Sequence, residues 1–407
     1  MSYAVAITGI GLISPLGQNL DEVWSALMQG RSGLRLLGPE QGFDQPLAAG
    51  AVDFDCSPWF SKLQLSGVDR VSQFAVAAAD LARSDAALEP AAFAEGGVYL
   101  GCGMGGAAAL ESAYAGHFSP KPRVSPLSVV ASMANAPAGH IAMRFGVHGP
   151  VLNYSVACAS SAIAIGEAFR AIARGDIDIA FAGGSEALLV PGVVRAWQAM
   201  QTLATPDAEQ PATSCRPFST DRSGLALAEG AAVLVLERAD LARARGARIY
   251  AEIAGFGMSC DASHLTKPDA AGQVRAMRQA LRQAQMSPAD IGYCNTHGTA
   301  TKVGDVVECE ALQQAWGEHL DRLKVSSTKS MHGHLLGGAG ALEAAITALA
   351  LHHQEIPPTA HCEQPDPACT VPLVRGTGIA APDLQAAISN SFAFGGSNAV
   401  LLMKRAA

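Results

Sequence analysis

Short apolar runs alternate with Ala- and Leu-rich stretches along the whole chain. The runs are of strand length with no polar face, and the stretches between them carry helical spacing. That combination predicts an α/β fold whose strands are covered on both faces. Residues 3–9 form the first expected strand. Residues 151–157 (Val-Leu-Asn-Tyr-Ser-Val-Ala) read as another, β-rich and buried, and residues 159–166 then open a helix of small apolar side chains. The pattern also recurs at long range. Residues 6–11 (Ala-Ile-Thr-Gly-Ile-Gly) are echoed by 252–257 (Glu-Ile-Ala-Gly-Phe-Gly), each a first strand ending in a glycine turn. Residues 231–238 are echoed by 399–405, each a last strand. Two similar halves are expected, 1–245 and 246–407, joined by a polar helix and connection over 238–248.

Composition narrows the function classes. With 407 residues, 49% apolar and 16% charged, the chain can bury a large core and is of enzyme size. No apolar segment reaches the about 18 uninterrupted residues of a membrane helix. The N-terminus lacks the basic and then apolar order of a secretory signal. Nine cysteines, odd in number and without a CxxC pair, suit a reducing compartment; a cytoplasmic location is expected. The formal net charge of −8 argues against nucleic acid as a partner. Gly9 and Gly11 do not make a dinucleotide site, because Ser14 stands where the third glycine is required and no acidic residue follows in the expected strand context.

The chemistry centres on Cys158. A thiol placed where a strand turns into a helix faces the unpaired N–H groups and partial positive charge of the helix N-terminus, which favour thiolate. A buried cysteine is more often a small hydrophobe than a nucleophile, so partners must decide. The second half offers them: His297 follows a strand in a Gly/Thr loop, and Lys329 and His334 precede another helix of small residues. A lone loop histidine is usually structural. These loops, however, follow strands at comparable points of the two halves, and a pseudo-twofold axis brings them into one cleft. His332 with His334 and His297 invites a metal reading, but no further carboxylate or thiolate ligand is placed for it.

The segments Ala157-Cys158-Ala159-Ser160-Ser161, His297-Gly298-Thr299-Ala300-Thr301, Lys329-Ser330-Met331 through His334, and Ser389 through Asn398 occur in this order and at this spacing. Together they resemble the elongating β-ketoacyl-acyl-carrier-protein synthases of the thiolase superfamily, from Val5 to Arg405. The resemblance implies a five-layered αβαβα thiolase-like fold built from the two halves, and a decarboxylative Claisen condensation. Cys158 takes the acyl group, with the N–H groups of Cys158 and Phe394 as oxyanion hole. His297 and His334 hold the malonyl thioester carbonyl. Lys329 supports them electrostatically with Glu343 as its acidic partner. Thr299 and Thr301 line the phosphopantetheine and malonyl side, and Phe394 is a gate. No cofactor and no metal are implied, since decarboxylation supplies the carbanion. The implied partners are acyl- and malonyl-loaded carrier protein and a second subunit, in a homodimer or in a heterodimer with a homologous chain.

Three positions depart from the family pattern: Lys302 replaces a proline, His332 a threonine, and Ala393 a glycine before the gate. Ala393 is expected to stiffen the gate through lost freedom at positive φ. Met104 and Trp197 match acyl-pocket positions and are bulky. The carrier-docking face is poor in base, with Lys62, Lys121, Arg123 and Arg195 as candidates. That altered face fits a dedicated carrier, so a type II polyketide or aryl-polyene ketosynthase stands beside fatty-acid elongation. The terminal loop lacks the second cysteine of a thiolase, and His334 stands where an initiating synthase has asparagine. Cys158 argues against a non-catalytic chain-length partner subunit.

Overall fold

In the computed structural model, which describes residues 2–406, ten strands form one sheet. The first five are β1 (Val5–Ile13), β2 (Gly97–Gly101), β3 (Val151–Tyr154), β4 (Ile179–Glu186) and β5 (Gly230–Arg238). The next five are β6 (Ala251–Cys260), β7 (Tyr293–Asn295), β8 (Lys324–Ser326), β9 (Ala386–Phe392) and β10 (Ser397–Lys404). From the centre outwards the first set runs β1-β5-β4-β2-β3 and the second β6-β10-β9-β7-β8. In each set the inner two pairings are antiparallel and the outer two parallel. The second five strands thus repeat the first in order and direction. Among the described residues the two sets of strands pair with each other only where Val5–Ile7 meets residues 251–253.

Helices complete five layers. The first outer layer is α1 (Arg70–Asp85) with α2 (Ala136–Phe145), packed on Val98, Leu100, Val233 and Val235. Between the two sheet halves lie α3 (Ser160–Arg174) and, after α4 (Pro191–Ala199) and α5 (Ala270–Ala284), the matching α7 (Ala339–His353). Every residue of α7 from Ala339 to Leu351 is buried, and an alanine-rich sequence is what lets a helix sit between two sheets. The second outer layer is α5 with α6 (Gly304–Trp316). No helix among the described residues is long and apolar enough to cross a membrane.

Two expectations are corrected here. The repeated glycines are not turns, since β1 runs through to Ile13 and β6 to Cys260. A Cβ on Gly9 or Gly11 would stand 2.2 Å from the carbonyl oxygen of Ala82 or 1.9 Å from that of Ala78. Gly255 and Gly257 meet Ala280 and Ala276 at 2.3 and 1.9 Å in the same way. The glycines let the backbones of α1 and α5 lie directly on the two central strands. The strand before Cys158 is also shorter and more open than expected: β3 ends at Tyr154 and pairs on one side only, leaving Val151 and Leu152 about 38% and 43% exposed.

Candidate active site

The ends of β3, β7, β8 and β9 deliver four loops to one cavity of about 430 Å³. Cys158, Trp197, His297, Thr299, Thr301, His334 and Phe394 all line it. The sulfur is set by a strained turn. Ala157 has φ +45°, and the Ser160 hydroxyl accepts from the Val156 N–H at 2.8 Å while donating to the Ala157 carbonyl at 2.6 Å. Such left-handed geometry at a non-glycine residue persists only where its surroundings over-determine it. The Phe394 N–H points at the Cys158 sulfur.

The two imidazoles present the same edge to the cavity. His334 Nδ1 accepts from the Leu336 N–H at 3.3 Å, which leaves Nε2 as the protonated nitrogen, 3.1 Å from Cys158 Sγ. His297 Nδ1 faces the Lys329 ammonium at 3.4 Å, and an ammonium only donates, so here too Nε2 carries the proton. The rings stand 5.3 Å apart between centroids, nearly perpendicular. Burial, then the positive charge of Lys329, hold both histidines well below the ordinary value of 6.5; both are neutral donors at neutral pH. Lys329 is fully buried and ion-paired with Glu343. Burial raises the Glu343 carboxyl to about 7 against the opposing pull of Lys329.

The thiol departs from expectation. Burial pushes Cys158 up to about 12, with Lys329 and the Phe394 N–H acting in the opposite direction. Desolvation therefore outweighs the favourable dipole of the helix terminus. Cys158 is accordingly a thiol at rest, and its iodoacetamide labelling should rise steadily with pH up to about 9, following the thiolate fraction. A rate that levels off below about pH 7.5, followed by mass, would show the thiolate to be the resting form.

Several sequence candidates fall elsewhere. Met104 is not among the residues lining this cavity and lies 54% exposed on the glycine loop after β2. His332 is turned away, donating from Nδ1 to the Gly333 carbonyl at 2.7 Å and meeting Thr328 Oγ1 at 3.0 Å. The cluster that does assemble is Cys158, His297 and His334, with ligand atoms within 4.8 Å of one another and both imidazoles held as Nε2–H donors. Ala393 does not adopt positive φ, whereas Gly395 and Gly396 do, at +89° and +76°; the glycine freedom of this loop lies after Phe394. Trp197, on α4, stacks on Phe394 with centroids 6.1 Å apart. Lys62, Lys121, Arg123 and Arg195 are exposed and lie away from the cavity lining.

Two buried acids outside the sequence motifs, Glu308 and Glu186, hold the loops of the site. Glu308 on α6 accepts from the backbone N–H groups of His297 and Gly298, both at 2.8 Å, and from Asn390 at 3.0 Å, fixing the histidine loop. Glu186, at the end of β4, accepts from the N–H groups of Gly103 and Gly337 at 2.7 and 3.0 Å, clamping the β2 loop to the His334 loop. The one available signal was a carboxylate eleven positions after His297 in the first turns of a helix.

A duplicated αβαβα scaffold with a Cys-His-His cleft at the strand ends defines a condensing-enzyme architecture, and comparison with known proteins makes this specific. Residues 2–242 match the model of the β-ketoacyl synthase N-terminal domain, and residues 250–363 match its C-terminal domain. The 3-oxoacyl-[acyl-carrier-protein] synthase 2 of Vibrio harveyi is 39% identical over 411 residues, 99% of each chain. That of Synechocystis is 38% identical over 98% of each chain. Among solved structures, a β-ketoacyl synthase from Burkholderia phymatum superposes with TM-score 0.93 at 34% identity, covering 100% of both chains. A type II polyketide synthase acyl-carrier protein in complex with its ketosynthase superposes with TM-score 0.91 at 30% identity, again covering 100% of both. The chain belongs to the β-ketoacyl synthase family.

Proposed function

We propose that the protein is an elongating β-ketoacyl-acyl-carrier-protein synthase, joining an acyl group on Cys158 to malonyl-carrier protein in fatty acid or fatty-acid-like elongation. The observation that carries this is the pair of neutral imidazole N–H donors facing the cavity beside the buried thiol. In loading, the Cys158 sulfur attacks the acyl thioester. The tetrahedral oxyanion sits on the N–H groups of Cys158 and Phe394, and the carrier sulfur leaves as a thiol, carrying off the proton that the Cys158 thiol gives up. His334 steadies the sulfur as its negative charge develops. In condensation the malonyl thioester carbonyl takes the two Nε2–H bonds. The C–CO₂ bond breaks, its electron pair passes into the enolate, and the enolate carbon attacks the acyl-Cys158 carbonyl. Collapse breaks the C–S bond and expels the Cys158 thiolate, which takes a proton from solvent to return to the resting thiol. Lys329, paired with Glu343, keeps His297 neutral and in the right tautomer. Incubation with acyl- and malonyl-carrier protein should release CO₂ and yield 3-oxoacyl-carrier protein; acyl-enzyme without condensation would refute the assignment.

Phe394 is assigned as the gate and Trp197 as a wall of the acyl passage, on the strength of their stacking at the cavity. A ring in a close-packed passage penalises each methylene forced against it by about 1–3 kcal/mol. Trp197→Ala should therefore shift selectivity toward longer acyl chains by roughly tenfold or more. Competition between short and long acyl-carrier proteins, read as acyl-enzyme mass, checks this; an unchanged ratio would make Trp197 a filler of the core. The type II polyketide alternative rests on the superposed polyketide ketosynthase and on the base-poor carrier-docking face, and incubation with candidate carrier proteins bearing acyl groups of varied length separates the two.

A homodimer is part of this reading. The free edge of β3 exposes Val151 and Leu152, and Met104, Val129, Val130 and Met133 are exposed large apolar side chains of the same half. An unpaired edge with exposed apolar residues is a liability unless covered, and a second copy pairing edge to edge covers it symmetrically. Light scattering should give twice the chain mass; a monomer would refute this, and a requirement for a homologous chain would mark a heterodimer. Lys62, Lys121, Arg123 and Arg195 are assigned to carrier docking, because they are exposed cations on an acidic chain.

A further inference from the structure

The cavity that holds Cys158 is also lined by Leu265 and Val303, which are 73% and 53% exposed, so its wall reaches solvent at these residues. Beside each of these stands a lysine, Lys267 and Lys302, both exposed and both lining the cavity. The geometry points to Lys267 and Lys302 as a receptor for the phosphate of a phosphopantetheine arm. This rests on the ketosynthase reading and names how the arm is held at its outer end.

Three observations support it. The lysine ion pairs among the described residues are Lys329–Glu343 and Lys404–Glu252, so neither mouth lysine is neutralised by a carboxylate. Asp366, whose carboxyl Lys302 lowers only at longer range, is hydrogen-bonded directly by Arg222 at 2.6 Å. Lys302 itself contacts only a neutral partner, the Thr220 carbonyl, at 3.2 Å.

Both lysines are also anchored at the backbone. Arg222, 2% exposed, donates to the carbonyls of Thr301 and Lys302 at 3.0 and 2.9 Å, fixing the segment from which Lys302 projects. His264 Nδ1 accepts from the N–H groups of Thr266 and Lys267 at 3.1 and 3.2 Å, and Pro268 follows. A side chain whose base is fixed loses less freedom when it engages a ligand.

The chemistry of the arm supplies the third. Its thioester must reach Cys158 at the closed end, and its phosphate is attached at the opposite end, which therefore lies at the mouth. The chain carries a formal charge of −8, so an anionic arm is repelled by most of the surface. Two ammonium groups without a carboxylate partner at the exposed end of the cavity reverse that locally and form charge-assisted hydrogen bonds with phosphate oxygens.

The test compares acylation of Cys158 by acyl-pantetheine and acyl-4′-phosphopantetheine at low salt, in the wild type and in Lys267→Gln/Lys302→Gln, followed by intact mass. The wild type should prefer the phosphorylated arm by about three- to tenfold, the range for two exposed ion contacts. The double variant should bring that ratio close to one, and added salt should do the same to the wild type. A structural defect would slow both donors alike and leave the ratio standing. Acyl-coenzyme A and acyl-carrier protein run alongside: lysine dependence in both assigns the receptor to the shared phosphate, and dependence with the carrier alone assigns it to the protein-borne arm. A wild type acylated by both arms without preference, or a variant that keeps the preference, overturns the receptor. A wild type acylated by no donor overturns the ketosynthase reading beneath it.

Discussion

Cys158→Ser should lower condensation on the order of a thousandfold or more, the scale on which removing an enzyme's nucleophile acts. The substitution changes one atom, so the turn held by Ala157 and Ser160 and the contact to His334 remain available to the hydroxyl. What changes is ionisation. Burial already raises the thiol to about 12, and an alcohol in the same site starts several units higher. Neither His334, whose free nitrogen is occupied by the Leu336 N–H, nor His297, whose Nδ1 faces Lys329, offers a base to deprotonate it. Incubation with labelled acyl-carrier protein should leave the variant's mass unchanged. Stable acylation of the serine enzyme, or an undiminished condensation rate, would remove Cys158 from the role of nucleophile.

The sequence reached this site because its chemistry is carried by short local segments. Cys158, His297, Lys329 and His334 each sit in a motif a few residues long, and the duplicated pattern of apolar runs put those motifs at matching strand ends. Interactions that join distant segments left no such trace. Glu186 works by accepting from Gly103 and Gly337, and Trp197 by stacking on Phe394, and nothing near any of these residues announces its partner. The glycines of β1 and β6 were visible as a repeat but misread as turns, because a close helix approach and a tight turn both select a residue without Cβ. The apolar character of β3 suggested burial, although in one chain that strand is an edge. The raised thiol followed from how deeply Cys158 lies, a quantity that helix-terminus arguments on sequence do not contain.

His297→Ala should slow malonyl decarboxylation by about 10²–10³, the cost of about 2.7–4 kcal/mol for one lost oxyanion donor, and leave acyl loading much less affected. The separation follows from position. His297 shares its cavity edge with His334, but it is His334 that touches the sulfur, at 3.1 Å. His334→Ala should therefore depress both half-reactions, and His297→Ala mainly the second. Burial and Lys329 keep the His297 ring neutral, so what it contributes is a neutral N–H donor and not a charge. An amide N–H can stand in for such a donor, and His297→Gln should recover part of the lost decarboxylation where His297→Ala recovers none. The two half-reactions are measured apart, loading by acyl-enzyme mass and decarboxylation by CO₂ released from malonyl-carrier protein. Equal rates in the glutamine and alanine variants would show that the imidazole does something other than donate. Wild-type CO₂ release in His297→Ala would place the malonyl carbonyl away from this ring, leaving His334 as its single histidine donor.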